Sequence, residues 1–257
     1  MTAPILVTGG TGTLGGHVVP LLRKAGHPVR VLSRHGRESA GGVEYVSADL
    51  LDEADPGLRT ALTGTEIVLH LAGGPKGDDV ATRNLVRAAQ QAGVKHLVLI
   101  SVTGADTVPV AWLKNKLAAE RAVAESGIPF TTLRAAQFND LVLGVVEKMT
   151  KLPVLPVPGG LRFEPVDSRD VAARLVELAL GEPAGLVPDL AGPRVYGMAE
   201  LSAGYLRAKG TRRRPKLPVR IPGKAGRAYR AGANLAREGA ARGERTWEAF
   251  IGERVGG

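Results

Sequence analysis

The stretch Pro4-Ile5-Leu6-Val7-Thr8-Gly9-Gly10-Thr11-Gly12-Thr13-Leu14-Gly15-Gly16 decides how this chain is read. Its first five residues form a short apolar run, the pattern of a strand buried in a parallel sheet. Glycines then stand at 9, 12 and 15. Val18, Val19, Leu21 and Leu22 follow as one helical face that ends near Gly26. The order is strand, glycine turn, helix. Glycine permits the tight turn and lets the backbone approach a pyrophosphate. The helix N-terminus adds N–H groups and a partial positive charge. Gly9, Thr11, Gly12, Thr13, Leu14 and Gly15 are therefore the expected cradle of a dinucleotide.

The same alternation continues outward. Strands are expected at 29–34, 43–47, 66–71, 95–101 and 130–134. Helices are expected at 58–62, 80–92 and 112–126. Strands separated by helices at this spacing build an open, doubly wound parallel sheet. Beyond residue 150 the character changes. Residues 152–160 hold three prolines and two glycines and read as a loop. Helices are expected at 170–180 and 198–208. Trp247, Phe250 and Ile251 form an apolar anchor near the end of the chain. The expected division is a cofactor-binding core over 1–150 and a substrate-binding cap over 151–257, with helix 170–180 packing on the core.

The end of the second strand selects the dinucleotide. Ser33-Arg34-His35-Gly36-Arg37 contains no carboxylate to bond an adenosine 2′-hydroxyl. Arg34, helped by Arg37, offers a permanently charged fork for a 2′-phosphate. NADP(H) is thus expected over NAD(H).

Composition narrows the remaining classes. The chain has 257 residues, no Cys and a formal net charge of +9. Without Cys there is no disulfide, thiolate nucleophile or thiolate metal site. No His/Asp/Glu cluster has metal-ligand spacing, so no metal is expected. No apolar run is long enough to span a membrane, and the N-terminus lacks a signal-peptide pattern, so a cytoplasmic protein is expected. From Arg207 onward there are 14 Lys+Arg against 4 Asp+Glu, a net +10. Residues 1–206 therefore carry −1. Tyr229 is the only aromatic between Leu206 and Thr246, so the basic segment reads as a solvated surface and not a nucleic-acid site, with attraction of an anionic substrate or of the cofactor phosphates as a second option. After the sixth strand, Gln137, Phe138 and Asn139 lie where open sheets bind their ligands, and are candidates for substrate contact. His70, at the end of the fourth strand, reads as a hydrogen-bonded structural residue. Tyr196 and Tyr205 are weaker candidates for facing a pocket.

These pieces together resemble the atypical short-chain dehydrogenase/reductases of the NmrA-like, NAD(P)H-binding group. The resemblance rests on Val7 to Gly15, Ala48-Asp49-Leu50, Leu69-His70-Leu71-Ala72-Gly73, Leu99-Ile100-Ser101, Lys116 to Glu120, Ser126 to Thr131, Pro165 to Ala172 and Arg245 to Phe250. It implies an α/β fold of the Rossmann type, with a parallel sheet and a small C-terminal cap of helices and loops. It implies that Asp49 and Leu50 flank the adenine and that Ala72 and Gly73 line the groove. It places Ser101 beside the nicotinamide and Lys116 on its ribose, with both as catalytic candidates. The superfamily's Tyr-x-x-x-Lys pair is broken here, because Trp112 stands four residues before Lys116. Trp has no titratable proton, so Lys116 is the remaining candidate acid and Trp112 becomes a pocket-wall residue. The function implied is NADPH-dependent reduction of a small carbonyl, enone, quinone or imine by a monomer or homodimer. The alternative is a non-catalytic NADP(H)-binding redox sensor of the NmrA type. A non-redox use of the bound dinucleotide is a third possibility.

Overall fold

The computed structural model describes residues 2–74, 76–211 and 214–255. In chain order its elements are β1 (Ile5–Thr8), α1 (Gly15–Lys24), β2 (Val29–Ser33), β3 (Val43–Ser47), α2 (Pro56–Leu62), β4 (Ile67–His70), α3 (Asp78–Ala92), β5 (His96–Val102), α4 (Ala111–Ala124), β6 (Phe130–Ala135) and α5 (Asn139–Thr150). They continue as β7 (Leu155–Pro158), β8 (Arg162–Phe163), α6 (Ser168–Leu180), β9 (Gly185–Leu186), β10 (Leu190–Ala191), β11 (Tyr196–Gly197), α7 (Met198–Ala208), β12 (Lys216–Val219), α8 (Gly223–Arg230), β13 (Ala241–Arg242) and α9 (Trp247–Val255).

The chain divides into two compact units whose segments alternate along the sequence. The first comprises residues 1–101, 114–133 and 172–187, and the second 102–113, 134–171 and 188–257. The sequence reading drew a single boundary at 150, but strands β5 and β6 both hand the chain to the second unit at their carboxyl ends.

In the first unit the parallel strands run in the order β6-β5-β4-β1-β2-β3, with β9 beside β6. The Rossmann-type parallel sheet is therefore observed. Strand β1 lies between β4 and β2, with Val7 opposite Leu69 and Val31. The central strands β1, β4 and β5 are apolar runs because both sheet faces are covered, whereas the edge strand β3 is partly exposed along its length. On one face Leu6, Leu58, Leu62, Leu85, Leu97 and Leu99 pack as a single cluster around α2 and α3. Helix α3 ends on Gly93, whose φ of 69° is the left-handed stop that glycine adopts without strain.

The second unit has its own core, in which α5, α7 and α9 pack through Val146, Tyr196, Leu201, Tyr205, Trp247, Phe250 and Ile251. The terminal anchor is thus seated in this unit, with the Trp247 indole N–H donating to the Leu201 carbonyl at 3.1 Å. Helix α6 starts at Ser168, two residues before the expected helix, and the Asp167 Oδ1 caps it by accepting the Arg169 N–H at 2.9 Å. Three expectations need correcting. Residues 155–158 are not loop but a strand, paired in parallel with β12. Residues 139–150 form a helix, where no helix was expected after the sixth strand. Tyr196 and Tyr205 face the core, 1% and 4% exposed, and the Tyr196 hydroxyl donates to Glu248.

Candidate functional site

The glycine turn after β1 is held by backbone packing. Gly9 has φ of 70°, and a Cβ there would lie 2.6 Å from the Ala72 nitrogen, so the turn is pressed against the loop after β4. A Cβ at Gly15 would lie 2.4 Å from the Gly10 Cα and the Gly9 carbonyl oxygen. Helix α1 begins here with no side-chain cap and no acidic residue in its first turn. Its positive end is left uncompensated, which suits an anion.

The turn forms one wall of a groove of 610 Å³ over the carboxyl ends of the strands. Gly9, Thr11, Gly12, Arg34, Asp49, Leu50, Ala72 and Gly73 all line it. Thr13, Leu14, Gly15 and Arg37 do not. Leu14 and Gly15 are buried beneath the turn, while Thr13 and Arg37 are exposed outside the groove. Arg34 is exposed at the β2 end, between Ser33 and His35, with no carboxylate in those three residues. Asp49 is engaged locally, its Oδ1 accepting the Leu51 N–H at 3.0 Å.

Asp78 also lines the groove and belongs to an ion pair that no spacing in the sequence indicates, with Lys116, which lies outside the groove lining. Asp78, the first residue of α3, holds the Lys116 ammonium at 2.9 Å. Both side chains are largely buried, 6% and 13% exposed. The second Asp78 oxygen accepts the Gly74 N–H at 2.6 Å. Gly73 makes this possible, because a Cβ there would lie 2.7 Å from the Lys116 Nζ. The loop between Gly73 and Gly77 has no periodicity to betray Asp78. An acidic residue after a glycine-rich loop, at the start of a helix, was the only available signal.

Behind this pair His70 is fully buried and bridges two threonines. Its Nδ1 lies 2.7 Å from the Thr8 Oγ1, and its Nε2 lies 3.0 Å from the Thr82 Oγ1. The Thr82 hydroxyl donates to the Asp78 carbonyl, and the Thr8 oxygen accepts the Ala72 N–H. Those commitments assign the ring proton to Nε2. Burial, and secondarily the nearby Lys116, lowers the His70 pKa to about 3, so the ring is neutral. His70 thus ties β1, β4 and α3 together beneath the groove.

Ser101 is 2% exposed, and its hydroxyl donates to the Glu120 carboxylate on α4. It lies outside the groove lining. Trp112, Gln137, Phe138 and Asn139 belong to the second unit. Asn139 is completely buried at the start of α5, and the other three are partly buried. Among the described residues no group of three or more His, Asp or Glu could hold a metal ion, and no helix is long and apolar enough to cross a membrane.

A family model described as NAD(P)H-binding matches residues 9–181. Quinone oxidoreductase 2 of Escherichia coli K12 is 30% identical over 217 residues, covering 80% of this chain and 74% of that one. The NAD(P)H azoreductase of Xenophilus azovorans is 31% identical over the same length, with the same coverage. Among solved structures, the NADPH complex of the Escherichia coli NADPH-dependent quinone oxidoreductase superposes with a TM-score of 0.84 at 23% identity, covering 97% of this chain and 99% of that one. The NADP(H) complex of Citrobacter sp. triphenylmethane reductase gives 0.78 at 22% identity, over 98% and 99%. At those identities the superpositions establish the fold.

Proposed function

The chain belongs to the NAD(P)H-binding family, and from that premise we propose that it is an NADPH-dependent reductase of a small carbonyl, enone, quinone or imine. The observation that carries this reading is the groove itself. It has an uncapped helix N-terminus at one wall, Arg34 at the β2 end and Asp78, which is ion-paired to Lys116, in its lining. The reductase names of the two curated relatives support the reaction class.

The glycine turn fits a pyrophosphate, since side chains at Gly9 and Gly15 would collide with backbone. Arg34 fits a 2′-phosphate and would leave an NADH ribose without its usual carboxylate partner. When bound, the dinucleotide supplies the hydride. Lys116 is oriented by Asp78 and serves as ribose ligand and proton source at Nζ. A water held by Ser101 is the alternative proton source. The Ser101 hydroxyl already donates to Glu120, so Lys116 is the stronger candidate.

The test compares dissociation constants for NADPH and NADH and follows NADPH oxidation against a carbonyl and quinone panel. Wild type should favour NADPH at least tenfold, and Arg34→Ala should remove most of that preference. A preference for NADH that survives Arg34→Ala would overturn the cofactor assignment. Trp112 in place of the acidic Tyr supports a second reading, a non-catalytic NADP(H) sensor. Tight NADPH binding with no turnover across the panel would select it.

A further inference from the structure

We propose that Lys76 is a second cationic contact to the phosphates of the bound dinucleotide, reaching them from the β4 side of the groove as Arg34 does from the β2 side. The inference rests on the dinucleotide reading above. Four Asp, Glu, Lys or Arg residues line the groove: Arg34 and Lys76 are cationic, and Asp49 and Asp78 are anionic. Asp78 is neutralised by Lys116, and an Asp49 oxygen is taken by the Leu51 N–H. Arg34 and Lys76 are exposed and have no ion-pair partner among the described residues. Two uncommitted cations in one groove are matched by an anionic ligand.

The backbone sets Lys76 there. Strand β4 pairs with β1 on the side away from β2, so the loop after β4 and the end of β2 flank the glycine turn from opposite sides. The loop begins at Ala72, against the glycine turn, and ends at Asp78, whose carboxylate is held by Lys116. Gly77, beside Lys76, has φ of 80° and presses on Leu51 beyond β3, since a Cβ there would lie 2.9 Å from the Leu51 Cδ2. Leu51 and Gly77 line the same groove. Lys76 is therefore carried between a contact with the turn and a contact with the β3 side, on a loop fixed at both ends. It is the only Lys or Arg between Arg59 and Arg83, so one substitution removes all the positive charge of this segment. A lysine suits the task, because its compact ammonium meets a phosphate oxygen as a point charge and needs no fixed bidentate geometry.

Dissociation constants for NADPH and NADH, measured by fluorescence titration of the full chain, test this. Lys76→Ala should weaken NADPH binding by about three- to tenfold, and Lys76→Arg should retain most of the affinity. Lys24→Ala, exposed at the last residue of α1 and outside the groove, should leave it unchanged. Lys76 is exposed, so the urea midpoint of its variants should not move. The affinity of the wild type should fall more steeply with added salt than that of Lys76→Ala. An equal loss for NADPH and NADH assigns Lys76 to the pyrophosphate, which both carry. A loss for NADPH alone assigns it to the 2′-phosphate. The inference is overturned if wild type and Lys76→Ala bind NADPH equally and with the same salt dependence. It is equally overturned if Lys76→Arg binds as weakly as Lys76→Ala, because charge is then not the cause. A wild type that binds neither dinucleotide would overturn the dinucleotide reading itself, and this inference with it.

Discussion

Lys116 acts through its setting. Its ammonium is drawn to the groove wall by Asp78 and admitted by the missing side chain of Gly73. Under the reductase reading, Lys116→Ala should lower kcat/KM by about 10²–10⁴, the range for loss of a positioned proton donor. Asp78→Asn should cost about tenfold, because it removes the charge that orients the ammonium while keeping the fold. Gly73→Ala should shift kcat/KM in the same direction without altering any charge. A change confined to the NADPH dissociation constant in all three variants would restrict Lys116 to ribose binding. His70 gives a different handle. Unfolded, its imidazole takes a proton near its ordinary pKa of 6.5, and folded it stays neutral down to about 3. Between those values the unfolded chain binds more protons, so this contribution to stability is complete above about pH 6.5 and is lost as pH falls. The slope approaches about 1.4 kcal/mol per pH unit. Urea unfolding of wild type and His70→Gln between pH 4 and 7, taken as approximate limits of the window, should show a stability slope steeper in wild type than in the variant by up to about this amount.

At the scale of elements, legibility followed how much each segment's pattern depends on its own residues. Strands β1 to β6 could be read because apolar runs bounded by glycine are required of parallel strands covered on both faces. Helix α5 escaped because Leu141 and Val145 are exposed, 60% and 41%, and blur its apolar face. Strands β7 and β12 escaped because their prolines, Pro156, Pro158 and Pro218, argue against a ladder that their neighbours nonetheless form. The site shows the same division. Its glycine turn and Arg34 are local motifs, whereas the Lys116–Asp78 pair joins residues 38 positions apart and no spacing rule predicts it. Lys116 itself was legible through resemblance alone. Helix α9 is the clearest success in the second half, since Trp247, Phe250 and Ile251 are 0%, 3% and 2% exposed. Trp247→Ala should therefore lower the unfolding free energy by about 3–5 kcal/mol in urea denaturation. Leu186→Ala, at a position 55% exposed, should change it by less than about 0.5 kcal/mol.

The charge of the whole molecule divides into a structural part and a surplus. Four arginines of the basic last fifth are paired within the second unit: Arg237 with Asp106, Arg242 with Glu164, Arg245 with Asp170 and Arg254 with Asp140. Burial pushes the Asp106 carboxyl up, but the bonds from Arg134 and Arg237 outweigh it and hold the carboxyl below its ordinary range. Glu164 shows why such pairing matters, since its carboxylate is only 4% exposed and also accepts the Ala236 N–H at 2.7 Å. Removing Arg242 would strand a buried charge, whereas removing Lys224 takes away a cation with no ion-pair partner among the described residues. Arg242→Ala should thus lower the unfolding free energy by about 1–3 kcal/mol, and Lys224→Ala by less than about 0.5 kcal/mol. Both variants lose one positive charge, so a common effect of lowering the net charge would appear equally in each. Equal stabilities in denaturant would show that the basic segment is held by its total charge, and a gap between them would assign the stability to the individual pair.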